Sequence, residues 1–179
     1  VFLVTSPCVA NYRGDDPDKY HPGDYAPEFH PNIMKQDCGD QFKWLKGVLA
    51  GLESTSEWVI VVGHHPIDQV DVHDFKGVLE SSPMSVYLTG HLHRLRAFTY
   101  SGHPHQTHIL SGAGCMIKND AVSNNETLYG GKDVLFEAEV AGFTKHTFVS
   151  DLTKLRTDFI DKHGKVLYSI ETENKNVGN

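Results

Sequence analysis

Apolar positions along the chain change their period from the first half to the second. Val1-Phe2-Leu3-Val4 is a short apolar run, read as a buried strand because it lacks the basic flank and the length of a signal-peptide core. Residues 6–37 are polar and carry Pro7, Pro17, Pro22, Pro27 and Pro31 with Gly14 and Gly23. A patternless stretch of that length marks a surface or functional excursion. From Asp40 to Leu52 the spacing predicts a helix, with Phe42, Leu45, Val48, Leu49 and Leu52 on one face and Asp37 nearby as a cap. Trp58 to Val62 is a continuous apolar run, as expected of a strand covered on both faces, and it ends at Gly63-His64-His65-Pro66. His73 to Ser81 reads as a short helix with Phe75, Val78 and Leu79 inward. Val86-Tyr87-Leu88 reads as a second buried strand ending at Gly90-His91-Leu92-His93. Strand, helix, strand in this order predicts an α/β fold.

The second half alternates instead. Ala97–Tyr100 and Thr107–Leu110 flank Ser101-Gly102-His103-Pro104, a hairpin signal, and Ser111-Gly112-Ala113-Gly114 follows as a tight loop. Residues 118–132 are polar and loop-like. Phe143–Val149, Leu155–Ile160 and Val166–Ile170 read as successive strands, with Lys162-His163-Gly164-Lys165 turning between the last two. No repeat or linker interrupts residues 1–179, which are taken as a single unit. Trp44 and Trp58 are read as core residues.

Composition narrows the function classes. Hydrophobic residues make up 39% and charged residues 22%, the balance of an ordinary globular domain. No apolar run nears the roughly 20 residues that span a bilayer. The net charge of −7 without a Lys/Arg cluster argues against nucleic acid and anionic membrane as partners. A small phosphorylated substrate stays open, since a metal can supply positive charge locally. Cys8, Cys38 and Cys115 show no CxxC pairing, so one disulfide with a free thiol is allowed and the pairing is open. Asn125-Glu126-Thr127 is a glycosylation sequon, which leans toward a secreted or vacuolar setting.

The twelve histidines decide where chemistry is sought. Two buried strands end in Gly-His sequences, and ligands of α/β sheets gather beyond the carboxyl ends of strands. In an extended GHxH the two imidazoles share a side, and His64 reaches the same edge from the neighbouring strand. Neutral imidazole suits zinc, iron and manganese. The competing reading makes them surface loop histidines. His103, His105 and His108 cluster at the hairpin and are read as a distal turn rather than a second metal site. Arg94 and Arg96 are read as strand-face residues.

Val61-Val62-Gly63-His64-His65-Pro66, Gly90-His91-Leu92-His93 and Ser111-Gly112-Ala113-Gly114 together resemble the second half of the calcineurin-like metallophosphoesterase pattern, in particular the short purple (tartrate-resistant type) acid phosphatases. Gln41-Phe42-Lys43-Trp44-Leu45, Gly142-Phe143-Thr144 and Gly164-Lys165 extend the resemblance. It implies the second half of a four-layer α/β/β/α sandwich with a mixed β-sheet and C-terminal antiparallel strands. It also implies a dinuclear centre of iron plus a divalent metal (iron, zinc or manganese), with His64 and His91 on the divalent metal and His93 on the iron. His73, nine positions after His64, becomes by the resemblance a phosphate contact or the acid that protonates the leaving group; His65, beside His64 and before Pro66, is by its position alone a further candidate on the substrate side. The implied activity is phosphomonoester hydrolysis in a secreted, vacuolar or lysosomal setting.

The departures are equally definite. The family's Asp after the first strand, its GDxxY and its GNHD are absent, so the bridging carboxylate is missing. Asp71-Val72-His73, Asp24-Tyr25 and Asp18-Lys19-Tyr20 imitate pieces of these motifs at the wrong places. These residues alone are therefore expected to bind at most one metal weakly and to need the N-terminal half of the domain as a partner for turnover. The alternatives are a non-catalytic scaffold or anchor on the same fold, and a phosphodiesterase or nucleotide hydrolase.

Overall fold

The computed structural model describes residues 1–14, 26–52, 57–115, 117 and 131–176. Among the described residues, eight strands form two sheets. In the first, β1 (Ile60–Val62), β2 (Val86–Thr89), β4 (His103–Ser111), β3 (Leu95–Tyr100) and β5 (Lys132–Ala138) lie in that order. β1, β2 and β4 run parallel to one another, while β3 pairs antiparallel with both β4 and β5. The second sheet is the antiparallel meander β6 (Gly142–Val149), β7 (Lys154–Asp161), β8 (Val166–Glu173). Helices α1 (Ala26–Met34), α2 (Cys38–Leu52) and α3 (Phe75–Glu80) complete the regular elements.

Period two of the central strands makes the two cores. Val61, Tyr87, Phe98 and Tyr100 face the helices with Leu45, Leu49, Phe75 and Leu79. Val86, Leu95, Ala97 and Ile109 face the second sheet and meet Leu155 and Phe159. The described layers are thus helix, mixed sheet and antiparallel sheet, part of the expected sandwich. Val1 to Leu3 extends the first sheet beyond β1: Leu3 N–H donates to Val62 O at 2.8 Å and Val62 N–H to Val1 O at 2.9 Å. At Val4 the Gln41 amide acts as a strand partner, its Oε1 accepting from Val4 N–H at 2.8 Å and its Nε2 donating to Val4 O at 2.9 Å.

Some elements differ from the sequence reading. The proline-rich stretch contains 3-10 turns at Ser6–Cys8 and Ala10–Arg13 and the helix α1, which tolerates Pro31 internally and packs Phe29 on Tyr12, ring centroids 5.5 Å apart. The edge strand β5 follows a segment read as loop; Val134 and Leu135 are exposed there, so alternation is weak. Trp44 is a correction: at 49% exposure it lies on the outer side of α2, whose apolar face is Leu45 and Leu49. Trp58 is half-buried on Phe148, with centroids 5.4 Å apart. Asp37 accepts from Gly39 N–H at 2.7 Å and so caps α2. Cys8 and Cys38 form a disulfide that ties the first 3-10 turn to α2, leaving Cys115 free and exposed. Asn125, Asp18 and Asp24 fall outside the described residues.

Candidate metal centre

β1 and β2 are parallel, so both release their chains at one sheet edge and set His64-His65 beside His91. Gly90 N–H donates to His64 O at 3.0 Å and joins the two loops. The first loop is held from two sides. Thr5 Oγ1 accepts the N–H groups of His64 (3.2 Å) and His65 (3.1 Å), and the Tyr87 hydroxyl donates to His65 O at 2.8 Å. That hydroxyl occupies the space where a Cβ on Gly63 would collide, so position 63 needs glycine for close approach.

Gly90, expected to supply backbone freedom, does not take a left-handed φ; His91 does, at 58°. Leu92 N–H donates to Gly90 O and Arg94 N–H to Leu92 O, both at 2.7 Å. Residues 90–94 therefore make two successive three-residue turns, the first of the rare, strained hand. Strain of this kind costs of order 1–3 kcal/mol and persists where the surroundings over-determine it. Here the fixed ends are β2 and β3, and Gly112 lies so close that a Cβ on it would collide with Leu92 O. The expected extended GHxH, with both rings on one side, gives way to this turn pair.

The turns bring His91 against His64 and His65. Potential ligand atoms of these three lie within 4.8 Å of one another, and they are the group of three or more such side chains that converges among the described residues. His91 Nδ1 is 3.3 Å from His64 Nε2. Two nitrogens bound at 2.0–2.1 Å to a tetrahedral ion stand about 3.3–3.4 Å apart, so this pair has the bite of one metal. His93 lies outside the group, although its charge reaches His64: burial first, then His93, lowers the His64 pKa from 6.5. His65 is lowered to about 3 by burial and then by His91 and His64. A neutral ring such as that of His64 can act as a ligand without losing a proton.

No carboxylate joins the three rings among the described residues, so the cluster fits a single ion, held by the His64–His91 pair, and does not fit the dinuclear centre. His73 also stands apart from the cluster, exposed and stacked on Phe42 with ring centroids 5.1 Å apart. It opens on a hollow of about 420 Å³ whose walls include Asp68 and Asp71. The same two residues line a neighbouring hollow of about 370 Å³ with Tyr12 and His91. Thr5 and Tyr12, which hold His65, were not singled out from the sequence; each lies more than 50 positions from it and no local pattern marks them.

The arginines and hairpin histidines lie away from this group. Arg94, at the end of the turn before β3, and Arg96 on β3 both bind Glu137 of β5 at 2.7 Å, so only Arg96 is a strand-face residue. His103 turns toward Glu80 at 4.0 Å, whereas His108 enters the core, so the hairpin histidines diverge.

No family model matches the chain, and no curated protein matches it. Among solved structures it is similar to GAP50, the anchor in the inner membrane complex of Plasmodium, at 19% identity and TM-score 0.64, covering 97% of this chain and 48% of that one. It is also similar to the purple acid phosphatase PPD1 from yellow lupin (Lupinus luteus) seeds, at 13% identity and TM-score 0.57, covering 77% of this chain and 29% of that one. These likenesses show the fold, part of a metallophosphoesterase-type sandwich. The chain spans about half the length of the first structure.

Proposed function

We propose that this chain is the histidine-bearing part of a metal-dependent phosphomonoesterase, complete only when the N-terminal half of the sandwich supplies the carboxylate ligands. The observation that carries the reading is the 3.3 Å pair of His64 Nε2 and His91 Nδ1 at the ends of two parallel strands. Metal there, iron or a divalent ion such as zinc or manganese, would polarise the phosphate and activate water. This chain's part is to hold the ion through His64 and His91 and to offer the hollow beside His91 to the ester's organic group. His73 opens on the adjoining hollow and is assigned the proton delivered to the leaving oxygen. The Cys8–Cys38 disulfide suits an oxidising compartment, in keeping with a secreted, vacuolar or lysosomal protein.

The test is turnover of p-nitrophenyl phosphate by the native protein and by its His91→Ala variant. Loss of at least about a hundredfold in kcat/KM, near 3 kcal/mol, is expected. Near-normal turnover by the variant overturns the assignment. A second reading, a non-catalytic anchor, is favoured by one observation: the GAP50 likeness spans nearly the whole chain, and that protein is an anchor. Native protein that binds metal yet fails to hydrolyse the ester would give this reading the lead.

A further inference from the structure

His65 lies inside the histidine cluster, yet neither of its nitrogens is offered to it. Its ring centroid is 4.2 Å from that of His91 and 4.8 Å from that of His64. Nδ1 nevertheless lies 2.8 Å from Thr5 Oγ1, and Nε2 lies 3.0 Å from the Tyr12 hydroxyl. Thr5 determines which nitrogen carries the hydrogen. A hydroxyl has two lone pairs and one hydrogen. The lone pairs of Thr5 Oγ1 accept the N–H groups of His64 and His65. Its hydrogen then goes to the third neighbour, so His65 Nδ1 accepts, while Nε2 carries the ring hydrogen and donates it to Tyr12.

We propose that Thr5 is the positioning residue of the histidine cluster: its saturated hydroxyl fixes His65 as the Nε2–H tautomer, withholds it from the ligand set, and aims His64 at His91. His65 then acts as a wall between the two ligands and a link to Tyr12 rather than as a third ligand. The side chain suits this task. Thr5 is buried at 2% exposure, and its methyl lies only 2.8 Å from the place a Gly63 Cβ would take. Together with Tyr87, which binds His65 O, it holds the backbone of residues 63–65. Thr5 orients the ring of the histidine beside the ligand pair and selects its tautomer, as the partner groups of metal-bound histidines do for the ligands themselves.

The inference rests on the metal reading only for its ion, and the test separates the two. Ring 15N shifts of His65 at neutral pH are recorded for the whole chain and for its Thr5→Val and Thr5→Ser variants, together with Co2+ titrations followed by visible absorption. The wild-type ring is expected to show a bare Nδ1 and a protonated Nε2. Thr5→Val is expected to lose the single tautomer and bind Co2+ about 10–100-fold more weakly. Thr5→Ser is expected to restore both. A purely packing role would change thermal stability and leave tautomer and affinity alone, which would overturn the proposal. So would a wild-type ring protonated at Nδ1, a measurement that needs no variant to fold. If the wild type binds no Co2+, the metal reading falls, while the shifts still decide the role of Thr5.

Discussion

Buried histidines in this chain differ by what surrounds the ring. His65 is wrapped in hydrogen bonds, whereas both ring nitrogens of His108 lack a hydrogen-bond partner among the described residues. His108 is stacked on Phe98 with centroids 5.1 Å apart and is edged by Tyr100 and Tyr87. Burial first, then the charges of Lys132, Lys76 and His103, lowers its pKa from 6.5 to about 3. The unfolded chain takes up a proton near pH 6.5 that the folded chain refuses down to about 3. Stability is therefore full above pH 6.5 and falls as the pH drops toward 3, by about 1.4 kcal/mol per pH unit. A His108→Phe variant should flatten that slope whatever its absolute fit, by about 2 kcal/mol between pH 6.5 and 5. Denaturant midpoints measured across that range check it, and an unchanged slope would remove His108 as the source. From the sequence His108 was grouped with His103 and His105 at a turn. Its burial depends on aromatic rings contributed by β2 and β3, which no local spacing reveals.

At the scale of elements, glycine separates what was legible from what was not. The pattern located the strands before both Gly-His loops, because a continuous apolar run ending in glycine is local information. It misassigned the need for glycine, because that need arises where two distant segments meet. Gly63 yields to Tyr87 and Gly112 to Leu92 O, while Gly90 would meet His64 only at an ordinary 3.7 Å contact. Gly112→Ala should accordingly cost about 3 kcal/mol, because backbone cannot step aside as a flexible side chain can. Gly47 lies in α2 with nothing within 4 Å of a Cβ, so Gly47→Ala should add about 0.5–1 kcal/mol. Equal effects of the two substitutions on the denaturant midpoint would contradict the packing described for residues 91–94. The edge strand β5 and the helix α1 escaped the pattern for related reasons. One shows consecutive exposed apolar residues, and the other contains prolines that ordinarily argue against helix.

For the molecule as a whole, the two sheets and one helical layer bring the histidines together, and among the described residues no carboxylate belongs to the converging group. Imidazoles without an anionic partner leave the charge of a divalent ion uncompensated, and two such ions within a few ångströms would repel strongly. The whole chain should therefore take up one equivalent of Zn2+, with an affinity set by His64 and His91. Because the folded state alone assembles that pair from positions 27 residues apart in the chain, binding should raise the melting temperature as the free ion exceeds its Kd. At a hundredfold excess over Kd the gain is about 2.7 kcal/mol. Equilibrium dialysis gives the stoichiometry and thermal unfolding with and without Zn2+ gives the linkage. His91→Ala should abolish the thermal shift, because a single remaining imidazole of the pair cannot supply the bite. Two equivalents bound with comparable affinity would mean that a second set of ligands exists in this chain, and the assignment of the carboxylates to another half of the sandwich would fall.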